Sequence, residues 1–243
     1  MSHARVNQFG WPRWVMWMIA LLPPIVWGAL LWYSQANEAG FMALTEEDHL
    51  VENSQALLYF LGAILSACVA WRLRRMRRWG WALLYVALAL GLIVVTGEEI
   101  SWGQRVFHFQ TPGWLASRNM QEEINLHNLP EVRKVTDYWF DRILFMVMVL
   151  SGLGWLLRGR WPVRWRTELW VPHVVLLPAW LCAWSYDRLR DWYLWHYQAR
   201  QVSYVVHRLH EGRELVFAFA IAAFLMMVLR QLQRSGEPVS RHR

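Results

Sequence analysis

The chain has 243 residues, 56% of them hydrophobic and 18% charged, with 19 Trp and a formal charge of +7, and its apolar residues are gathered into long runs, which excludes an ordinary soluble domain and reads as a membrane protein. The arginines stand in short clusters beside those runs, where topology and anionic lipid account for them, so nucleic acid is excluded as a partner. Cys68 and Cys182 each fall inside an apolar run, which excludes a disulfide framework and a thiolate metal site.

A spanning helix needs about 20 mostly apolar residues, and six stretches approach this: 14–33, 55–71, 79–97, 143–157, 169–184 and 216–229. The first contains Pro23-Pro24, which reads as a kink in a retained helix. Although Ser34-Gln35-Ala36 resembles a cleavage site, the run is longer than the ~7 to 15 residues of a signal-peptide core. Ahead of the second run, Thr45-Glu46-Glu47-Asp48 has the form of a capping box with Thr45 as N-cap, so the helix is expected to begin near Glu46. Asp48, Glu52 and Gln55 then share a face, a polar stripe at the lipid boundary. A solvated first turn explains it most simply. Glu52, the deepest acid, is a pocket candidate.

The third run ends in Thr96-Gly97-Glu98-Glu99-Ile100-Ser101-Trp102-Gly103-Gln104-Arg105. Two carboxylates directly after an apolar run must pair, bind a cation or take up a proton, because the ionised form loses hydration there. Glu98 and Glu99 are therefore the candidate catalytic groups, the structural alternatives being an internal ion pair, Glu98 with Ser101 and Arg105 on one face, or simple exposure in the headgroup region. Adjacent helical residues point about 100° apart, and Glu98 is expected to face the bundle because Ser101, Trp102 and Arg105 share its side. Further on, Thr111-Pro112 reads as the start of a short helix lying on the membrane, with Trp114 and Leu115 dipping into it. Asn125-Leu126-His127-Asn128-Leu129-Pro130 leads into the next helix and leaves His127 and Asn128 on a turn that can be shaped around a ligand.

Just before the sixth run comes His207-Arg208-Leu209-His210-Glu211-Gly212-Arg213-Glu214. Helical spacing puts His207, His210 or Glu211, and Glu214 on one face, with Arg200 and Ser203 extending it backwards. His and carboxylate at i and i+4 can chelate a divalent metal, and without thiols the suited ions are zinc, manganese or iron. The alternative is an interfacial helix crowded with salt bridges.

The connections differ in charge. The N-terminal tail, 72–78, 158–166 and the C-terminal tail carry fifteen arginines, which makes them cytoplasmic by the positive-inside rule. Segments 34–54, 98–142 and 186–214 then face outward and hold sixteen of the eighteen carboxylates. Short basic connections make helices two and three, and four and five, antiparallel hairpins. Topology also brings Glu52, Glu98, Glu99, His127, His207, Glu211 and Glu214 to one membrane level.

The run Gly97-Glu98-Glu99-Ile100-Ser101-Trp102-Gly103-Gln104-Arg105, followed by Asn125-Leu126-His127-Asn128, resembles a signature of uncharacterised bacterial multi-pass membrane proteins. The resemblance covers helix three and the following loop, implies a location in the bacterial inner membrane, and carries no activity with it.

The expected fold is thus all-α: a single integral membrane domain over 1–243, a six-helix bundle with amphipathic interfacial helices on its outer face. The expected function is a metal-dependent enzyme acting at the outer leaflet on a lipid or lipid-linked substrate. His127, His207, Glu211 and Glu214 would supply ligands, Glu98 or Glu99 the general base, and Glu52, Ser101, Arg105, Asn128 and His210 further pocket lining. The alternatives are an ion- or proton-coupled carrier titrating at Glu52, Glu98 and Glu99, and a non-catalytic assembly partner using its Trp-rich outer surface. A site closed below by apolar packing favours the enzyme, and a polar path through the bundle favours the carrier.

Overall fold

The computed structural model describes residues 9–46, 49–119, 123–126, 129–157, 169, 171–198 and 203–235. Among them all regular structure is helical, in chain order α1 (Arg13–Ala36), α2 (Glu38–Thr45), α3 (Leu50–Arg75), α4 (Trp79–Glu99), α5 (Gln104–Phe107), α6 (Gly113–Ala116), α7 (Pro130–Leu157), α8 (Leu177–His196) and α9 (Tyr204–Ser235). Five stretches are long and apolar enough to cross a membrane: α1, α2 together with α3, α4, α7 and α9.

Expectation and structure differ at three helix boundaries. Thr45 does not cap α3; its hydroxyl donates to the Phe41 carbonyl at 2.9 Å and it closes α2, a helix of its own capped by the Asn37 side chain on the Gly40 N–H. α3 accordingly starts at Leu50, with Glu52 in its first turn. The fifth expected span is not one helix. Pro172 has no N–H and drives Val171 towards extended backbone, so 171–173 is irregular and a 3-10 turn, Val174–Leu176, precedes α8. α8 tolerates Pro178 in its first turn and runs on to His196, through residues expected to lie outside. The third difference is on α9, where the polar stripe and the sixth apolar run form one continuous helix. The short α6 begins one residue later than Thr111-Pro112 suggests, with Pro112 at its N-cap, and Leu115 is buried in the protein instead of facing lipid.

α9 is the centre of the bundle and packs against α1, α2, α3 and α8. Val216, Ala220, Ala223 and Met227 on one side of it join Trp27 and Leu30 of α1, Leu144 and Met148 of α7, and Ala179, Trp180 and Ala183 of α8. On another side Ala218, Leu225, Val228 and Leu232 join Tyr59, Ala63, Ala70 and Leu73 of α3 and Ala82, Tyr85 and Leu92 of α4. The alanines allow close approach, and in lipid it is such packing, not water exclusion, that holds helices together. At Gly212 the approach requires glycine: a Cβ there would lie 2.8 Å from Leu30 Cδ1 and 2.9 Å from a ring carbon of Trp27. Trp17 and Ile25 of α1, Leu83 and Leu84 of α4, and Phe145 and Leu156 of α7 project outward and are exposed, as a surface meeting hydrocarbon requires.

α3 and α4 form the expected hairpin through a tight turn in which Arg77 has φ 57°. Arg75 lies over the Trp71 ring and Arg74 over Trp79, so the basic cluster is braced by aromatic side chains. The connection 158–168 lies outside the described residues.

Candidate functional site

The Gly97–Arg105 motif builds a loop. α4 ends at Glu99, and Ser101 and Trp102 take left-handed backbone, φ 46° and 55°, which turns the chain back on itself. The Trp102 ring then covers Gly97, where a Cβ would meet it at 2.9 Å, and its indole N–H donates to Glu98 at 2.8 Å. The other Glu98 oxygen accepts the Leu126 N–H at 2.6 Å. Gln104 donates to Thr111 at 2.7 Å and accepts the Ile124 N–H at 2.7 Å. Inside the loop, Ser101 donates to buried Glu123, and Asn125 donates to Ser101 at 3.1 Å and to Glu123 at 2.9 Å. Asn119 adds bonds to the Asn125 side chain at 2.8 Å and to its carbonyl at 2.7 Å. Glu98 and Ser101 therefore hold the outer loop to the end of α4.

This reverses the expected facing of the two glutamates. Extrapolating helical spacing from Glu98 to Ser101, Trp102 and Arg105 fails because the helix stops at Glu99 and the next residues are left-handed. It is Glu99, half-buried, that faces the helix junction, where its electrostatic neighbours are Glu214 and Glu211 of α9, Glu52 of α3 and Glu98. Among the described residues Glu99 makes no hydrogen bond or ion pair.

The α9 stripe is real, and its side chains turn to separate partners. Glu211 accepts from the Gln55 amide of α3 at 3.2 Å, lies 3.1 Å from His210 Nε2 and 3.7 Å from the Arg208 guanidinium. Gln55, wholly buried, also donates to the Glu211 backbone carbonyl at 2.6 Å. Arg208 reaches across to the Thr45 carbonyl at 3.1 Å. His210 donates through Nδ1 to the His207 carbonyl at 2.5 Å, and His207 Nε2 accepts from Arg133 of α7 at 3.1 Å. Glu214 pairs with Arg213 at 3.4 Å. Among the described residues no three His, Cys, Asp or Glu side chains converge as metal ligands. His127, Asn128, Asp48, Arg200 and the side chain of Arg105 lie outside the described residues.

A second buried centre adjoins the first. Arg213 lies between the rings of Phe140 and Tyr186, at 4.6 and 4.9 Å, and pairs with Asp187 of α8 at 3.6 Å. Asp187 also takes Arg190 at 2.8 Å. The sequence carried a signal for this pair, since Asp187 and Arg213 are charges of opposite sign beside apolar and aromatic runs, and each needs a counter-charge. Gln55 was legible only as part of a polar stripe with Asp48 and Glu52, while Arg133, Glu123 and Asn119 carried no such signal.

No protein-family model, curated protein or solved structure matches the chain.

Proposed function

We propose that the chain is an enzyme of the bacterial inner membrane whose outer-face site acts on a lipid or lipid-linked substrate, with Glu99 as the group that exchanges a proton with it. The observation that carries this reading is the situation of Glu99: a half-buried carboxylate at the junction of α3, α4 and α9, without a hydrogen bond or ion pair among the described residues. An ionisable group at headgroup depth is expensive to keep there without a role, and a positioned carboxylate of this kind is suited to general acid–base work. Glu98 serves as its loop support. His207 is turned to Arg133, and Glu211 to Gln55, His210 and Arg208. We therefore assign the chemistry to Glu99 and not to those residues as metal ligands.

Closure below the site favours an enzyme over a carrier. No charged residue occurs in 53–71, 79–97 or 215–229. Beneath Glu99 and Glu211 the three helices meet through Tyr59, Ala63, Leu92, Ala218 and Leu225, and the Ser66 hydroxyl is turned to the Tyr85 carbonyl at 2.8 Å.

In this reading the chain crosses six times with both ends cytoplasmic, the fifth crossing being 169–196. Two contacts support it. The Tyr85 hydroxyl, near the start of α4, donates to the Leu169 carbonyl, while Asp187 pairs with Arg213 near the outer site. The segment between them thus runs from the level of Tyr85, in the first half of α4, towards the outer site.

The test is turnover. In vesicles of bacterial inner-membrane lipid the parent protein is expected to change the lipid composition, and Glu99→Gln to lose at least about 100-fold of that rate at an unchanged melting temperature. No turnover by the parent, or equal turnover by both, overturns the reading.

A further inference from the structure

Two acceptors at this site stand without a hydrogen-bond partner among the described residues, the Glu99 carboxylate and Gln55 Oε1. Glu99 faces the carboxylates Glu214, Glu211, Glu52 and Glu98, and has no hydrogen bond or ion pair of its own among the described residues. The nearby cations are turned to other groups, Arg208 to the Thr45 carbonyl and Glu211, Arg213 to Asp187 and Glu214. An independent observation comes from α3. Gln55 is completely buried, its amide nitrogen is bound to Glu211, and its Oε1 is buried with no hydrogen-bond partner. Turning the amide over would set Oε1 against the Glu211 carbonyl and carboxylate, so its orientation is fixed. Gln55 lies between Glu52 and Tyr59 on one face of α3, and Glu99 is within electrostatic reach of both.

We propose that this junction binds a primary ammonium group, with Glu99 as counter-charge and Gln55 Oε1 as a hydrogen-bond acceptor. The inference rests on the reading of an outer-leaflet site and names its substrate class: a lipid headgroup, or a free molecule, bearing a primary amine. An ammonium suits the site better than a metal ion. It carries a positive charge and several N–H donors, satisfied by acceptors at hydrogen-bond spacing. A metal needs several ligands at shorter range, and no three His, Cys, Asp or Glu among the described residues converge in that way.

The experiment uses the full chain in detergent and in lipid nanodiscs, reading ligand-induced rise in melting temperature, which reports binding by mass action. The probes are ethanolamine, tetramethylammonium, Mg²⁺, and nanodiscs of phosphatidylethanolamine or phosphatidylglycerol. Ethanolamine is expected to stabilise the parent, and tetramethylammonium, which has no N–H, to do so at least about tenfold more weakly. Glu99→Gln should lose at least about tenfold in ethanolamine affinity, with its ligand-free melting temperature unchanged. Gln55→Met should lose less; should it not fold, Glu99→Gln alone decides. Stabilisation by phosphatidylethanolamine over phosphatidylglycerol identifies a headgroup as the source, and a response to ethanolamine alone identifies a free amine. Equal ethanolamine response in parent and Glu99→Gln, equal response to tetramethylammonium, or a Glu99-dependent response to Mg²⁺ only, overturns the proposal. Turnover on the same samples separates the two ideas. Glu99-dependent turnover without amine binding removes the ammonium site alone, whereas amine binding without turnover supports that site and removes the enzyme.

Discussion

Gln55 of α3 donates its amide to the backbone carbonyl of Glu211 on α9 at 2.6 Å and to the carboxylate of the same residue at 3.2 Å, so one buried side chain ties two helices together at the site. Gln55→Leu removes the donor of both bonds, while Glu211 keeps His210 and Arg208, so the cost is expected to be the net worth of a hydrogen bond, about 0.5–1.5 kcal/mol. Gln55→Glu keeps the shape but sets carboxylate against carboxylate, and is expected to cost more. Denaturation of the purified variants checks both. Parent-like stability in the two would show that this bond contributes nothing.

The Arg213 and Asp187 pair joins α9 to α8 inside an aromatic setting. Removing one partner of an isolated buried pair costs about 3–5 kcal/mol; here Arg190 still meets Asp187 and Glu214 still meets Arg213, which lowers the cost to about 1–3 kcal/mol. Arg213→Met and Asp187→Asn are each expected to destabilise on that order. The double variant is expected to be more stable than the sum of the single losses predicts, by about 0.5–3 kcal/mol. Strict additivity in a double-mutant cycle would mean that the two side chains do not support one another.

Apolar runs made the helices legible, because a membrane helix announces itself by length and composition in one segment. α1, α4 and the apolar part of α9 were readable in this way, and so was the start of α7 at Pro130. The motif at the end of α4 was readable as a special place, but not its geometry. Helical spacing predicted Glu98 inward, whereas left-handed backbone at Ser101 and Trp102 turns the chain out of the helical path and leaves Glu99 facing α3 and α9. Nothing local announces φ > 0 at a Trp. The stripe on α9 was legible as a face, yet the partners of its side chains come from α3 and α7, about 75 to 155 positions away in sequence, and pairing across helices has no sequence period. In the fifth span Pro172 is a helix-stop signal masked by the hydrophobic residues on either side of it.

Glu98 and Glu99 are expected to separate cleanly in the laboratory. Glu98→Gln replaces one of two acceptors used by Trp102 Nε1 and the Leu126 N–H, so the 123–126 segment should loosen and exchange its amide hydrogens faster. Glu99→Gln removes no bond seen among the described residues, and its stability should stay within about 0.5 kcal/mol of the parent. Hydrogen exchange at Leu126 and thermal melting read the two effects. Faster exchange in Glu99→Gln, with none in Glu98→Gln, would reverse the assignment of support and site.

Whether α8 completes a crossing is decided by where the chain ends lie. Five crossings put the termini on opposite sides and six put them on the same side. Arg5 and Arg13 near one end, and Arg230, Arg234, Arg241 and Arg243 near the other, favour the cytoplasm for both. The charges that set α8 apart from the five long apolar helices are concentrated beyond its apolar start, at Asp187, Arg188, Arg190 and Asp191, where Asp187 meets Arg213 and Arg190. From Asp187 back to Leu177 the helix covers about 15 Å. Before it come the 3-10 turn Val174–Leu176, at about 2 Å per residue, and the irregular residues 171–173, at up to about 3.3 Å each, and the Leu169 carbonyl accepts from the Tyr85 hydroxyl in the first half of α4. In the proposed topology this stretch is the fifth crossing. Topology reporters fused after Arg78 and Arg243 are expected to read cytoplasm, and those after Trp114 and Gln198 to read the outside. A C-terminal reporter on the opposite side from the one after Arg78 would show that α8 turns back before crossing.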